Sequence, residues 1–407
     1  MRYLLALLAA VAVHTVHADS LNCRLVGTYE IPSSPLPLDV AVTDSLALVA
    51  DWSNGLRILN IADPANPSQV GLFAGPRSTF GVAVKDTLAY VAGHWDGLYI
   101  ANIADPANPQ LVGQLGTSDA TAHVAVRDTF AFLADKHAGL RIVSVADPAH
   151  PYEVGSYLDT IGGIHNDVAV AGNFAYVATI QSNLLQVISI ADPAHPSLAG
   201  QCSMPGRSQG VVVSGSYAYV AAEDLSIVDV SNPQNPQEVG RYVSPDFAAD
   251  VRVAGNFAYV ADGFSGLRVL DVSNPQQPQE VGYYDTPGYA NGIDLAGDYI
   301  FVTEDPVGMR VFQFYGAGIE GERSMSDASR IAPGATVVRG VLEIGSQLTA
   351  DGSRPELGLL DISGRKVLDL RPGANDVSRL APGVYFVRGQ GPGVRGQGTV
   401  RKVIVQR

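Results

Sequence analysis

The chain has 407 residues, of which 46% are hydrophobic, 43 are Gly and 25 are Pro, a size beyond one small domain and a turn content suited to an all-β fold. Its net charge of −14 is uneven: residues 331–407 hold 11 Lys/Arg against 6 Asp/Glu, so residues 1–330 carry −19. So acidic a body argues against nucleic acid as a partner, because that binding needs Lys and Arg to neutralise phosphates; cations, basic partners or solubility alone are compatible with it.

Residues 1–18 read as a signal peptide, with Arg2 as the positive start, Leu4–Val13 as the apolar run and Val16-His17-Ala18 as the cleavage site. That run is too short to span a bilayer, and no other stretch is long and apolar enough, so the expectation is an exported chain with no transmembrane segment. Cys23 raises the reading of a lipid anchor, but Asn22 before it and its distance from the apolar run speak against that.

From residue 19 the sequence repeats. The turn Asp63-Pro64-Ala65-Asn66-Pro67 returns at Asp105–Pro109, Asp147–Pro151, Asp192–Pro196, Asn232–Pro236 and Asn274–Pro278, at spacings of 42, 42, 45, 40 and 42 residues. Each period divides into four short strands rich in Val, Ile, Leu and Tyr, and the Pro-containing turn marks where one strand ends, since Pro cannot donate to a ladder. A four-stranded unit of this length is the size of a propeller blade. First strands start near Leu38, Phe80, Ala122, Asn166, Gln209, Ala249 and Asn291, which predicts seven blades. The last period stops at Met309–Phe314 without its own Val-Gly strand, while an orphan copy, Leu25–Tyr29, precedes the first period. That copy is expected to complete the seventh blade and so close residues 19–314 into a ring without open edges.

The segments Leu225-Ser226-Ile227-Val228-Asp229-Val230 and Leu267-Arg268-Val269-Leu270-Asp271-Val272-Ser273 resemble the LVIVD repeat of bacterial surface proteins. The resemblance implies a β-propeller and supplies no catalytic residues.

Residues 315–331 lack periodicity and read as a linker. Beyond them, Leu357–Asp361, Lys366–Leu370, Gly383–Arg388 and Thr399–Val405 alternate as strands of a small C-terminal β-sandwich within residues 332–407. Leu360–Val367, Ala381–Val387 and Arg401–Val405 resemble the C-terminal sorting domain of type IX secretion. That resemblance implies secretion machinery as a partner and a secreted or outer-surface location; an ordinary accessory sandwich is the alternative.

In a propeller the first strand lines the central channel, and its start shares one face with the loop between the second and third strands. The equivalent channel-mouth position reads Asp39, Gly81, His123, Asp167, Gly210, Asp250 and Gly292. The loops of that face carry Asp51 and Trp52, His94 and Trp95, Asp135 and His137, and further acids; His165 belongs there too, whereas His150 and His195 lie in the Asp-Pro turns opposite. Asp39, Trp52, His94, Trp95, His123, His137, Asp167 and Asp250 are therefore the candidate ligand-binding residues. Carboxylates and imidazoles suit a divalent cation or a polar ligand, and exposed Trp suits a sugar or peptide; no cofactor is predicted. Asp51, Asp135 and Asp262 recur at one repeat position, which favours a structural role, while His123 and Trp95 break the repeat.

Two short motifs carry little. Gly316–Gly321 fits a phosphate-loop pattern without the helix that pattern needs, and Gly206-Arg207-Ser208-Gln209-Gly210 fits a nucleophile elbow but is followed by a strand. With no nucleophile, base and orienting group assembled, the leading expectation is a non-enzymatic protein that binds an extracellular protein or glycan. The alternatives are a hydrolase or lyase acting at the channel mouth, and a structural wall component.

Overall fold

The computed structural model describes residues 20–315, apart from 33–34, 44 and 159–161, and beyond them the backbone of seven strands between 336 and 405. The signal peptide, the linker with its Gly316–Gly321 motif, and the side chains of the C-terminal region lie outside the described residues.

Residues 39–314 form seven antiparallel sheets. Blades 1 to 6 each run through four consecutive strands: Asp39–Phe73, Gly81–Leu115, His123–Tyr157, His165–Ser203, Gly210–Tyr242 and Ala248–Tyr284. Blade 7 has three strands of its own, Tyr289–Ala296, Tyr299–Asp305 and Gly308–Phe314. Its outer edge is completed by Cys23–Glu30, which pairs with Gly308–Phe314. First strands touch their neighbours all the way round, and Tyr289–Ala296 lies against Asp39–Val42, so the ring is closed. The repeat had announced that strand; it had not announced the two residues before it. Ser20 and Leu21 pair with Tyr284 and Tyr283, adding a fifth strand to blade 6 before the chain crosses to blade 7.

Seven hydrophobic clusters hold the ring, one at each blade interface. Leu48 and Ile58 of blade 1 meet Val82 and Val91 of blade 2, and Phe301 and Val311 of blade 7 meet Val40 and Val49 of blade 1. Middle strands are packed on both sides by neighbouring blades, which is why they read as near-continuous apolar runs rather than strict alternation. Cys23 is buried in the cluster between blades 6 and 7, and burial pushes its thiol up to about 12. Both Cys23 and Cys202 are free.

The C-terminal unit, Glu322–Arg407, is a separate compact body. Its described backbone holds a five-stranded sheet that includes Glu356–Leu360, Lys366–Leu370, Gly383–Gln390 and Val400–Val405. A two-stranded pair of Val341–Ile344 and Gly373–Asp376 accompanies that sheet.

Candidate functional site

Two layers of polar residues organise the face that carries the loops between second and third strands. The deeper layer lies in the channel. Asp39 is buried at the head of its strand and accepts two backbone hydrogen bonds, from Val40 of its own blade and from Val82 of the next, each at 2.8 Å. Asp167 accepts from Val168 and Val211 at 2.7 Å, and Asp250 from Val251 at 2.7 Å and Ile293 at 3.1 Å. Each carboxylate thus staples the first strand of its blade to that of the following blade, satisfying backbone donors that would otherwise be buried without partners. The position after each Asp blade is a glycine, Gly81, Gly210 or Gly292, and all three sit against the blade beyond. A Cβ on Gly292 would lie 2.7 Å from Asp39 Cα, and one on Gly81 would lie 2.9 Å from the His123 ring.

His123 uses the space above Gly81. Its Nδ1 makes an ion-pair contact of 2.5 Å with Asp167 Oδ1, and its Nε2 lies 3.4 Å from Asp39 Oδ2, so one imidazole links blades 1, 3 and 4. Burial disfavours the charged ring, but the Asp167 and Asp39 carboxylates outweigh it and hold the pKa well above 6.5. Across the channel, Arg252 bonds Asp250 at 2.9 Å and reaches Asp294 at 3.5 Å. Asp250 is pushed up to about 7, chiefly by burial, with Asp167 and Asp39 adding to a shift that Arg252 opposes.

The upper layer is aromatic and is built where three blades present equivalent loop positions. Phe80, at the entrance to blade 2, stacks under the His94 ring at 4.1 Å and 8° and lies 5.1 Å from the Trp52 ring. Trp95 stands edge-on to His94 at 4.8 Å and 74°, and the Lys136 ammonium sits 5.1 Å from the Phe80 centroid. Trp95 is 71% exposed and Trp52 38%. The backbone is left-handed at Trp52 (φ 28°), His94 (φ 50°) and Lys136 (φ 24°), and blade 6 places Gly263 (φ 47°) at the same point. Glycine is the residue that conformation favours, so side chains held there are held at a cost. Burial, followed by the Lys136 charge, lowers the His94 pKa, so a neutral ring stacks on Phe80.

The other sequence candidates fall elsewhere. His137 is exposed, with its N–H and ring Nδ1 both on Asp119 Oδ2, at 3.0 and 2.9 Å. His165 is fully buried, its ring nitrogens 3.0 Å from the Lys136 carbonyl and 3.1 Å from Gln186 Oε1. Asp51, Asp135 and Asp262 are buried beside Arg57, Arg141 and Arg268. Ser208, the would-be nucleophile, has no exposure at all. Among the described residues, no group of three or more His, Cys, Asp or Glu is placed to hold a metal ion, and no helix is long and apolar enough to cross a membrane. Phe80 and Lys136 were missed by the sequence reading. The available signal was that Phe80 is the single aromatic among the residues preceding the seven channel-mouth positions.

Among solved structures, the chain is similar to the WD40 β-propeller domain of Doa1, with a TM-score of 0.58 and 12% identity over 73% of this chain and 97% of that one. It is also similar to the computationally designed Ika8 protein, with a TM-score of 0.53 and 10% identity over 67% of this chain and 82% of that one. A protein of unknown function from Desulfotomaculum acetoxidans matches with a TM-score of 0.52 and 16% identity, over 61% and 84% of the two chains. Identities this low establish the propeller fold alone. No curated protein matches the sequence significantly. The LVIVD repeat is matched six times, at residues 38–74, 76–117, 120–159, 162–204, 205–244 and 247–286, which together exceed half the chain. With one repeat on each of the first six blades, the chain belongs to the LVIVD repeat family.

Proposed function

We propose that the protein is an exported, non-enzymatic binding protein that recognises an extracellular protein or glycan with the loop face of blades 1 to 3. One observation carries this reading: Trp52, Phe80 and the neighbours His94 and Trp95 converge from three separate segments while Trp52 and His94 are held in left-handed backbone. Strain of that kind persists only where the surroundings over-determine it, and exposed indoles on a rigid platform are typical energetic anchors of recognition. The hydrolase or lyase reading has less support. His123 would be its acid–base residue, yet both ring nitrogens face carboxylates that are already stapling backbone.

Export is the companion proposal, supported by the leader-like residues 1–18 and by the resemblance of residues 332–407 to a type IX sorting domain. Deleting residues 332–407 should retain the protein within the cell envelope; unchanged release would overturn that assignment.

Both tryptophans of the chain lie in the cluster, so intrinsic fluorescence reports directly on the site. A panel of cell-surface glycans and peptides should contain a ligand that shifts this emission. Trp95→Ala should weaken that ligand by about thirtyfold, the effect of losing one anchor of about 2 kcal/mol. If every ligand found binds Trp52→Ala and Trp95→Ala variants as tightly as the native protein, the site lies elsewhere.

A further inference from the structure

We propose that this face takes an acidic oligosaccharide, one carboxylate pairing with the Lys136 ammonium beside Phe80 while another ring of the same chain lies on the Trp95 indole beyond His94. The inference rests on the reading of the face as a binding surface and adds the class of ligand.

The argument starts from a cation without a counter-ion. Lys136 occupies the loop position equivalent to Trp52 and His94, and its backbone carbonyl is fixed by the N–H of His165 at 3.1 Å. Its ammonium lies over the Phe80 ring and forms no ion pair among the described residues. The carboxylates around it are committed to other groups. Asp119 accepts from the N–H groups of Ala120 and His137 at 2.8 and 3.0 Å and meets the His137 ring at 2.9 Å. Asp135, the residue before Lys136, is paired with Arg141 at 2.5 Å. Partial burial, the main influence on Lys136, lowers its pKa, and Asp119 only partly offsets this. A half-desolvated ammonium on an otherwise acidic body gains most from an incoming anion.

The second feature is shape. Trp95 is held edge-on by His94, which leaves an indole face open to solvent, and a flat aromatic face accepts the apolar C–H face of a sugar ring. An acidic peptide fits less well, because the backbone groups it would pair with are in use. Trp52 bridges to Thr79 and His94 to Thr121 across the blade junctions.

The test is tryptophan fluorescence of the full chain, titrated with tetragalacturonate, with galactotetraose as the neutral match and with tetraglutamate as the peptide match. Tetragalacturonate should bind about tenfold tighter than galactotetraose, the worth of one charge-assisted hydrogen bond. Lys136→Met should erase that margin, Lys136→Arg should keep it, and added salt should narrow it in the native protein. Thermal melting confirms that each variant is folded; if Lys136→Met does not fold, the native acid-to-neutral ratio and its salt dependence decide. Equal affinity for the two sugars, an acid preference that survives Lys136→Met, a preference for tetraglutamate, or no binding by any of the three overturns the proposal. Equal binding of both sugars that Trp95→Ala abolishes would overturn only the acidic preference and leave the binding face standing.

Discussion

Four blades carry an acid at or beside the end of the second strand, and each of those blades carries an arginine six residues later: Asp51 with Arg57, Asp135 with Arg141, Asp262 with Arg268, Glu304 with Arg310. The other three blades hold Gly93 with Tyr99, Thr179 with Gln186, and Ala222 with Ser226, so acid and base are present together or absent together. The reason is the cost of an unpaired buried charge. Arg57→Ala should therefore destabilise the protein by about 3–5 kcal/mol, because Asp51 would remain fully buried without its partner. Replacing both residues, Asp51→Ala with Arg57→Ser, installs the blade 5 pair and should recover most of that loss. Urea unfolding of the two variants decides the matter: equal destabilisation would mean that the pair is not coupled. The repetition of Asp51, Asp135 and Asp262 was legible in the sequence and favoured a structural role; the matching Glu304 and the arginine partners were not read. The stapling by Asp39, Asp167 and Asp250 was not legible. Its second partner lies 43 or 44 residues away, in the next blade, and only the folded ring brings it near.

Glycines of the outer strands show what the repeat encodes at the level of the element. A Cβ on Gly71 would lie 1.8 Å from the Pro106 carbonyl oxygen, one on Gly113 2.1 Å from that of Pro148, and one on Gly240 1.9 Å from that of Pro275. Gly27, Gly155 and Gly200 meet Pro64, Pro193 and Pro233 in the same way. The Val-Gly strand and the Asp-Pro turn recur together because the glycine of one blade receives the turn of the next, at a bulge in each outer strand. Blade 7 has no such turn, and Gly282 of blade 6 packs instead against Phe314 and the Leu21 carbonyl. Gly71→Ala should cost about 1–3 kcal/mol through overpacking. Gly116→Ala, at a site with nothing within 4 Å of the new methyl group, should melt close to the native temperature. Equal melting temperatures for the two variants would show that the turn has room to move. The blade count, strand order and closing strand were legible because every blade repeats one apolar pattern at one spacing. The pairing of Ser20–Leu21 with blade 6 was hidden because two residues carry no period. The aromatic cluster was half legible: Trp95 stood out as a break in the repeat and Trp52 as a residue of the same face, while Phe80 was passed over as a strand entry and Lys136 as a polar loop residue.

At the scale of the whole ring, the channel makes stability depend on pH. Asp39, His123, Asp167, Asp250, Arg252 and Asp294 face one another there from blades 1, 3, 4, 6 and 7, so their charges act across the molecule rather than within one blade. His123 and Asp250 both bind protons more tightly in the folded state, the histidine because two carboxylates overcome its burial, the aspartate because burial dominates. Asp294 shifts the same way, by burial. A raised histidine contributes stability that is complete below 6.5 and is lost as pH climbs through its folded value. For a raised carboxyl, stability falls as pH climbs from the ordinary carboxylate range towards the folded value, about 7 for Asp250. Asp167 works in the opposite sense: despite burial, His123 lowers its pKa, so its contribution is present above the ordinary carboxylate value and fades only in stronger acid. The melting temperature should therefore be highest in mildly acidic buffer and decline steadily from pH 6.5 to the alkaline end of the range. His123→Gln removes the group that titrates over the upper part of that range, so its melting temperature should be lower in mild acid and flatter above neutrality than that of the native protein. A native curve that is level or rises between those limits, or a His123→Gln curve that declines as steeply, would mean that the imidazole is not the charge holding blades 1, 3 and 4 together.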